Sequence, residues 1–310
     1  MGIYVNTNIN SLIAQRSLTS ATSNMQNAIT RLSTGLRVNH AGDDAAGLCV
    51  AQGLETLIRG NSRAKLNIQD GLNMMYIAEG GMEGVTEDLQ RIRELCVQVA
   101  SDIYSPEQKQ TLMNEIQQRL EDIDVIANTT SFNGVVLTNG TNPEKMTIQS
   151  GSGWEEVNNS IDIAPALTNM LTSALGVKLN IVAITETVDT TVSVGNMTYT
   201  EGGVDGTAIN GSNWDSDMVR DYIRKLDDAI NLIAENRSSL GAYQNRLTSA
   251  SNNLTIMNEN YEQSKSQIMD ADMAEESANM VKYQVLQQTS ATMLAQANQI
   301  PSIALTLLGA

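Results

Sequence analysis

Hydrophobic positions spaced three and four residues apart run along two long stretches of this chain, one in each half. The first passes through Met75, Ala78, Met82, Val85, Leu89, Ile92, Cys96, Val99 and Ile103. The second passes through Leu226, Ala229, Ile233, Leu240, Tyr243, Leu247, Ala250, Leu254, Met257, Tyr261 and Ile268, with polar Asn236 and Ser264 as interruptions. Such steps keep every one of these side chains on one face of a helix, and a sustained seven-residue repeat is what a coiled-coil seam requires. The pattern predicts a mainly α fold: a long coiled-coil helical rod formed by the N- and C-terminal segments, with a small β-rich element in the middle of the chain. The chain goes out along one rod, builds a head and returns along the same rod.

Shorter patterns fill in the frame. Leu18, Ala21, Met25, Ala28 and Leu32 repeat at heptad spacing over residues 8–36. Gly35 and the run from Val38 to Asp44 then make a hinge, with Asp43 or Asp44 placed to cap a helix over 45–103. Ser105, Pro106 and Gln108 form a helix start with a capping box. The helix that follows carries Met113, Ile116, Leu120, Ile123 and Ala127 on one face and folds back antiparallel against the end of the first. Between 129 and 213, Gly, Asn, Ser and Thr become frequent, and Val135-Val136-Leu137, Ile161-Asp162-Ile163 and Thr190–Val194 read as strands. The ionisable residues of 181–213 are all acidic, which predicts a solvated surface lobe. Helix resumes near 215 and continues to 269. After Asp270-Ala271-Asp272 a last helix runs to Gln299, where Pro301 marks its stop.

Both extreme segments are apolar on more than one face. Val281, Val285 and Met293 lie on one side of the last helix, and Met280, Leu286 and Leu294 on others. A helix apolar on several faces must be buried on several faces, and little else in the chain is left to bury these. Neighbouring copies of the chain would supply the cover. The candidate assembly residues are therefore Leu18, Met25, Leu32, Val281, Val285, Met293 and Leu294. The expected domains are a terminal assembly domain (1–44 with 270–310), disordered in the monomer; a helical rod with its β element (45–180 with 214–269); and the lobe 181–213.

Composition narrows the function. Aromatic residues make up 4% of the chain, with Phe132 the single Phe, as suits a thin aliphatic bundle. A net charge of −16 argues against a nucleic-acid partner. No apolar run approaches the ~20 residues of a membrane span, and the N-terminus shows no secretory signal pattern. If one helix carries both Cys49 and Cys96, they lie roughly 70 Å apart, beyond disulfide reach; Cys96 falls on the seam as a small core residue. His40, the only histidine, sits in the hinge and is read as a turn residue. The acidic group Asp270, Asp272, Glu275 and Glu276 lacks the Gly of a calcium loop and suits a helix start. Neither a His-Glu-x-x-His motif nor a phosphate-binding Gly-rich loop occurs. The reading is of a non-enzyme without catalytic residues, metal or cofactor. Asn158-Asn159-Ser160 fits a short glycosylation sequon.

Several runs together resemble bacterial flagellin. At the N-terminal end they are Asn6-Thr7-Asn8, Arg31-Leu32-Ser33-Thr34-Gly35-Leu36-Arg37 and Asp43-Asp44-Ala45-Ala46-Gly47, followed by Leu89-Gln90-Arg91-Ile92-Arg93-Glu94-Leu95 and Phe132-Asn133-Gly134. At the other end they are Arg237-Ser238-Ser239-Leu240-Gly241-Ala242, Gln244-Asn245-Arg246-Leu247 and Leu294-Ala295-Gln296-Ala297-Asn298-Gln299. The resemblance covers nearly all of the chain except 181–213. It implies a near-minimal filament subunit whose terminal helices pair as the innermost layer of a hollow filament used for swimming. It also implies export in unfolded form by the flagellar type III system, and an extracellular, secreted location in the flagellar filament. The implied partners are other copies of the chain, an export chaperone, the filament cap and hook-junction proteins. The family's recognition face for the vertebrate Toll-like flagellin receptor maps onto Gln90, Arg91, Leu95 and Glu115. A hook–filament junction protein shares the terminal helices but weakens the Arg-Ile-Arg-Glu-Leu and Leu-Ala-Gln-Ala-Asn signatures. A secreted coiled-coil binding module would have no need of sticky ends. Long filaments in the microscope, rather than discrete rods, separate the first reading from these two.

Overall fold

From Met75 to Val99 the first stripe folds as one helix whose stripe positions are all buried. In the computed structural model, which describes residues 8–141, 145–155, 159–179 and 216–308, five α-helices carry the chain. They are α1 (Ile9–Thr34), α2 (Ala45–Val99), α3 (Pro106–Thr129), α4 (Ser216–Met269) and α5 (Met273–Leu308). Two short antiparallel hairpins lie between α3 and α4: β1 (Ser131–Phe132) with β2 (Val135–Val136), and β3 (Thr147–Gln149) with β4 (Ser160–Asp162). The fold class is the mainly α one that the periodicity predicts. The proposed lobe at 181–213, the run Thr190–Val194 and Asn158 lie outside the described residues.

The chain divides into two compact units: a central one, Gly60–Ile256, and a terminal one that joins Met1–Arg59 to Met257–Ala310. In the central unit, every α2 stripe residue from Met75 to Val99 is fully buried. So are Met113, Ile116, Ile123 and Ala127 of α3, and Leu226, Ile233, Leu240 and Leu247 of α4. Partners across each helix pair run in opposite senses. Arg119 Nη1 donates to Asp88 Oδ1 at 2.8 Å and Arg91 Nε to Glu115 Oε1 at 3.2 Å, so α3 is antiparallel to α2. Arg93 Nε donates to Asp227 Oδ1 at 2.6 Å and Gln244 Nε2 to Glu79 Oε2 at 2.9 Å, so α4 is antiparallel to it as well. Close approach has a local requirement at Gly81, where a Cβ would stand 2.7 Å from Thr130 Oγ1.

The capping box at α3 forms as read: Gln108 N–H donates to Ser105 Oγ, and Ser105 N–H donates to Gln108 Oε1. Between β1 and β2, Asn133 (φ 50°) and Gly134 (φ 81°) make the two-residue turn that suits strand twist. Ile148 and Ile161, paired across β3 and β4, turn one hairpin face into the core. Residues 163–179 then cross that core as a strap. Thr172 donates to Asp124 from both its N–H (2.8 Å) and its hydroxyl (3.0 Å), and the buried Tyr222 hydroxyl donates to Val177 O at 2.6 Å.

Three expectations need correction. The α2 helix ends at Val99, and Ile103, placed on the stripe, is 89% exposed beyond it; the chain must leave the helix there to reach the capping box at Ser105. Met257 is exposed, so the fully apolar seam of α4 ends at Leu254. Pro301 does not stop the last helix, which continues as α5 to Leu308.

Candidate functional site: the terminal helix pair and the α2–α3 face

In the terminal unit α1 and α5 pair antiparallel, and the α1 residues that are fully buried are all alanines. On α1 the shared seam follows Ala14, Leu18, Ala21, Met25, Ala28 and Leu32; the alanines are buried and the larger residues half-buried. On α5 it follows Glu276, Met280, Tyr283, Gln287, Ser290, Leu294 and Ala297, all buried or half-buried. Both are seven-residue repeats, but much of the α5 seam is polar. Gln287 Nε2 donates to Thr22 Oγ1 at 3.1 Å, and Arg31 Nη1 donates to the buried Glu276 Oε1 at 3.0 Å.

A second set of large apolar residues points the other way. Ile9, Leu12, Ile13 and Ile29 of α1 are exposed, as are Val281, Val285, Leu286 and Met293 of α5. An open groove of about 580 Å³ lies between the two helices, with Ile13, Leu286 and Met293 among its walls. Of the residues predicted for assembly, Val281, Val285 and Met293 stand on this outward apolar surface. Leu18, Met25, Leu32 and Leu294 instead lie half-buried on the internal seam.

A compact joint closes this unit at its other end. Gly35 caps α1 in the left-handed conformation (φ 71°), its N–H donating to Arg31 O at 2.8 Å. Leu36 bridges antiparallel to Asp270, flanked by Arg37 N–H to Met269 O (2.6 Å) and Ala271 N–H to Gly35 O (2.9 Å). The Arg37 guanidinium donates to Ile268 O at 2.7 Å, placing a positive charge at the negative end of α4. Asp44 Oδ1 accepts from Gly47 N–H and starts α2, while Asp43 Oδ2 accepts from the N–H groups of His40 and Asn39. Those two hydrogen bonds, His40 first, hold the Asp43 carboxyl below its ordinary pKa. Glu55 is held low by its hydrogen bonds to Lys265 and then Arg59. In the acidic group at the start of α5, Asp272 Oδ1 accepts from Ala274 N–H at 2.8 Å and Glu276 pairs with Arg31. Among the described residues no group of His, Cys, Asp or Glu could hold a metal ion, and no helix is long and apolar enough to cross a membrane.

In the central unit, Arg91, Glu94 and Glu115 form a linked surface group: Arg91 Nη1 donates to Glu94 Oε2 at 3.0 Å and its Nε to Glu115. These two bonds, Glu94 first, raise the Arg91 pKa above its ordinary value. Gln90 beside them is exposed. Leu95, expected on the same face, is 0% exposed and belongs to the core. The reason is that α2 is covered by both α3 and α4, which widens its buried face beyond a single seam. That width is also why Asp88 is buried, with Arg119 as its partner.

The comparison with known proteins agrees with this architecture at both ends. Residues 5–143 match the model of the bacterial flagellin N-terminal helical region, and residues 223–308 that of the bacterial flagellin C-terminal helical region. The chain is 34% identical to the flagellar filament 33 kDa core protein of Treponema phagedenis, over 99% of this chain and 100% of that one. It is 35% identical to a flagellin of Bacillus subtilis, over 98% and 99% of the two chains. With the polar flagellin F of Vibrio parahaemolyticus it shares 32% identity, covering 100% of each. Members of this family are structural rather than catalytic, and are secreted components of an extracellular filament. The chain belongs to the bacterial flagellin family and is a structural subunit that self-assembles into the flagellar filament for motility.

Proposed function

We propose that the filament is built by burying the outward faces of α1 and α5 against neighbouring copies. The observation that carries this is a surplus: the pair's own seam fully buries Ala14, Ala21, Ala28 and Ala297 and half-buries Leu18, Met25, Leu32 and Leu294, while Val281, Val285, Leu286 and Met293 are left in water. Each such side chain is worth roughly 1.5–3 kcal/mol on full burial, a sufficient drive when repeated along a lattice. The same reading has both terminal segments unordered before assembly. It has the subunit travel unfolded through the flagellar type III channel, with an export chaperone, the filament cap and hook-junction proteins as partners, and it leaves 181–213 as a replaceable surface lobe. The joint substitution Val285→Ser with Met293→Ser should leave the melting of the monomer unchanged and abolish filaments in negative-stain micrographs. Filaments of normal yield from that variant would sink the proposal.

A second role rests on the α2–α3 face. Gln90, Arg91 and Glu115 sit together there, with a half-exposed guanidinium between two carboxylates, and are read by the vertebrate Toll-like flagellin receptor in the monomer; Leu95 supports them from below. Arg91→Ala should cost ~2 kcal/mol or more in receptor binding, as at a hot spot. Reporter-cell activation by folded wild type and variant measures it, and equal potency would remove Arg91 from the role.

A further inference from the structure

Pro301 lies inside α5 and has no backbone N–H, so the carbonyl four residues earlier, that of Ala297, lacks its α-helical donor. Ala297 is buried against α1, where an unpaired carbonyl is costly. The missing donor comes from the other end of the chain. Asn8 Nδ2 donates to Ala297 O at 2.7 Å. The opposite end of the same amide is also in use: Asn8 Oδ1 accepts from Ser11 N–H at 3.1 Å and caps α1. One turn on, Ser11 Oγ donates to Asn298 Oδ1 at 2.8 Å. A single side chain thus starts one helix and repairs the other.

We infer that Asn8 makes the continuation of α5 past Pro301 conditional on its pairing with α1. Paired, the carbonyl orphaned by the proline is satisfied and the helix runs on to Leu308. Unpaired, the helix stops at the proline, where the local sequence alone would end it. Residues 302–308 therefore become helical only when the N-terminal helix is seated, which links the order of the last segment to the meeting of the two chain ends. The inference rests on the terminal pair being the assembly element. A variant that polymerises at normal yield leaves that reading standing whatever becomes of this one.

The test compares filaments of four proteins: wild type, Asn8→Ser, Pro301→Ala and the double variant. Serine keeps a good N-cap oxygen but is too short to reach across to α5, and alanine at 301 restores the N–H. Amide exchange in residues 302–308, followed by mass spectrometry, should quicken about tenfold in Asn8→Ser, the scale of one lost hydrogen bond. In the Pro301→Ala background the same Asn8→Ser change should leave it unaltered. If Asn8→Ser does not polymerise, polymerisation regained with Pro301→Ala supports the inference, and failure in both backgrounds overturns it. Equal quickening in both backgrounds, or none in either, overturns it too.

Discussion

On its buried face α2 carries Met75, Met82, Leu89 and Ile92 through the central unit, whereas α1 in the terminal unit buries Ala14, Ala21 and Ala28. Both faces repeat with helical spacing, and both helices have an antiparallel partner. The difference is how much apolar surface the chain can hide by itself. In the central unit three helices, two hairpins and the 163–179 strap enclose a core in which Met, Leu, Ile and Val outnumber the alanines. The α1–α5 pair fully buries alanines, only half-buries Leu18, Met25, Leu32 and Leu294, and leaves Ile13, Val285 and Met293 outside. Helical periodicity reports which residues share a face, and side-chain volume reports whether that face is an internal core or a surface left for other copies.

The two cysteines, one in each unit, test the contrast most sharply. Burial pushes the Cys96 thiol up to about 12, while Cys49 is exposed. At pH 8 only about one part in ten thousand of a thiol with that pKa is thiolate, the reactive form. A maleimide should therefore label native monomer at Cys49 alone, and Cys96 only after denaturation. Rapid labelling of both would mean that the central core opens.

Next in size are truncations inside that core. Leu89→Ala and Leu247→Ala should each destabilise the monomer by ~2–5 kcal/mol, since neither cavity can be closed by helices packed on both sides. Thermal melts of the monomer read this directly. An unchanged melt for either would place the residue outside the cooperative core.

The smallest effect is expected from acid, and it falls on the terminal unit. Asp43 and Glu55 have depressed pKa values in the folded state. Their stabilisation is complete above the unfolded carboxylate range, near pH 4, and is lost as pH falls through the lower folded values. Filament melting should drop over that interval, and Asp43→Asn should flatten part of the drop. A variant with the same acid limb as wild type would clear Asp43 of any share in it.

Much of this was legible in the chain. Stripe positions from Met75 to Val99 and the Ser105 box follow from local periodicity and capping chemistry, which need no knowledge of what lies opposite. Ile103 departs from the stripe for a local reason, the capping box two residues on, whereas Leu95 and Pro301 depend on distant partners. Leu95 comes to the receptor face through the resemblance alone; its spacing of three from Ile92 and four from Val99 fits the core position it holds, where α2 has two neighbours. Pro301 was read as a stop because its compensation lies at Asn8, in the other terminal helix. Strand β1 could have been found from Asn133-Gly134, a strong hairpin turn signal. Strand β3 carries no comparable mark and forms only because Ile148 has Ile161 to pair with.

The bridge between Leu36 and Asp270 has a consequence for how such a chain can change over time. It ties the two terminal helices together at one end, as Asn8 and Ala297 tie them at the other. The outgoing and returning segments are thus two rails fixed to each other at both ends. A residue inserted or lost in one rail throws every later rung out of step unless the other rail changes with it. Length variation between these ties is admissible only in matched pairs.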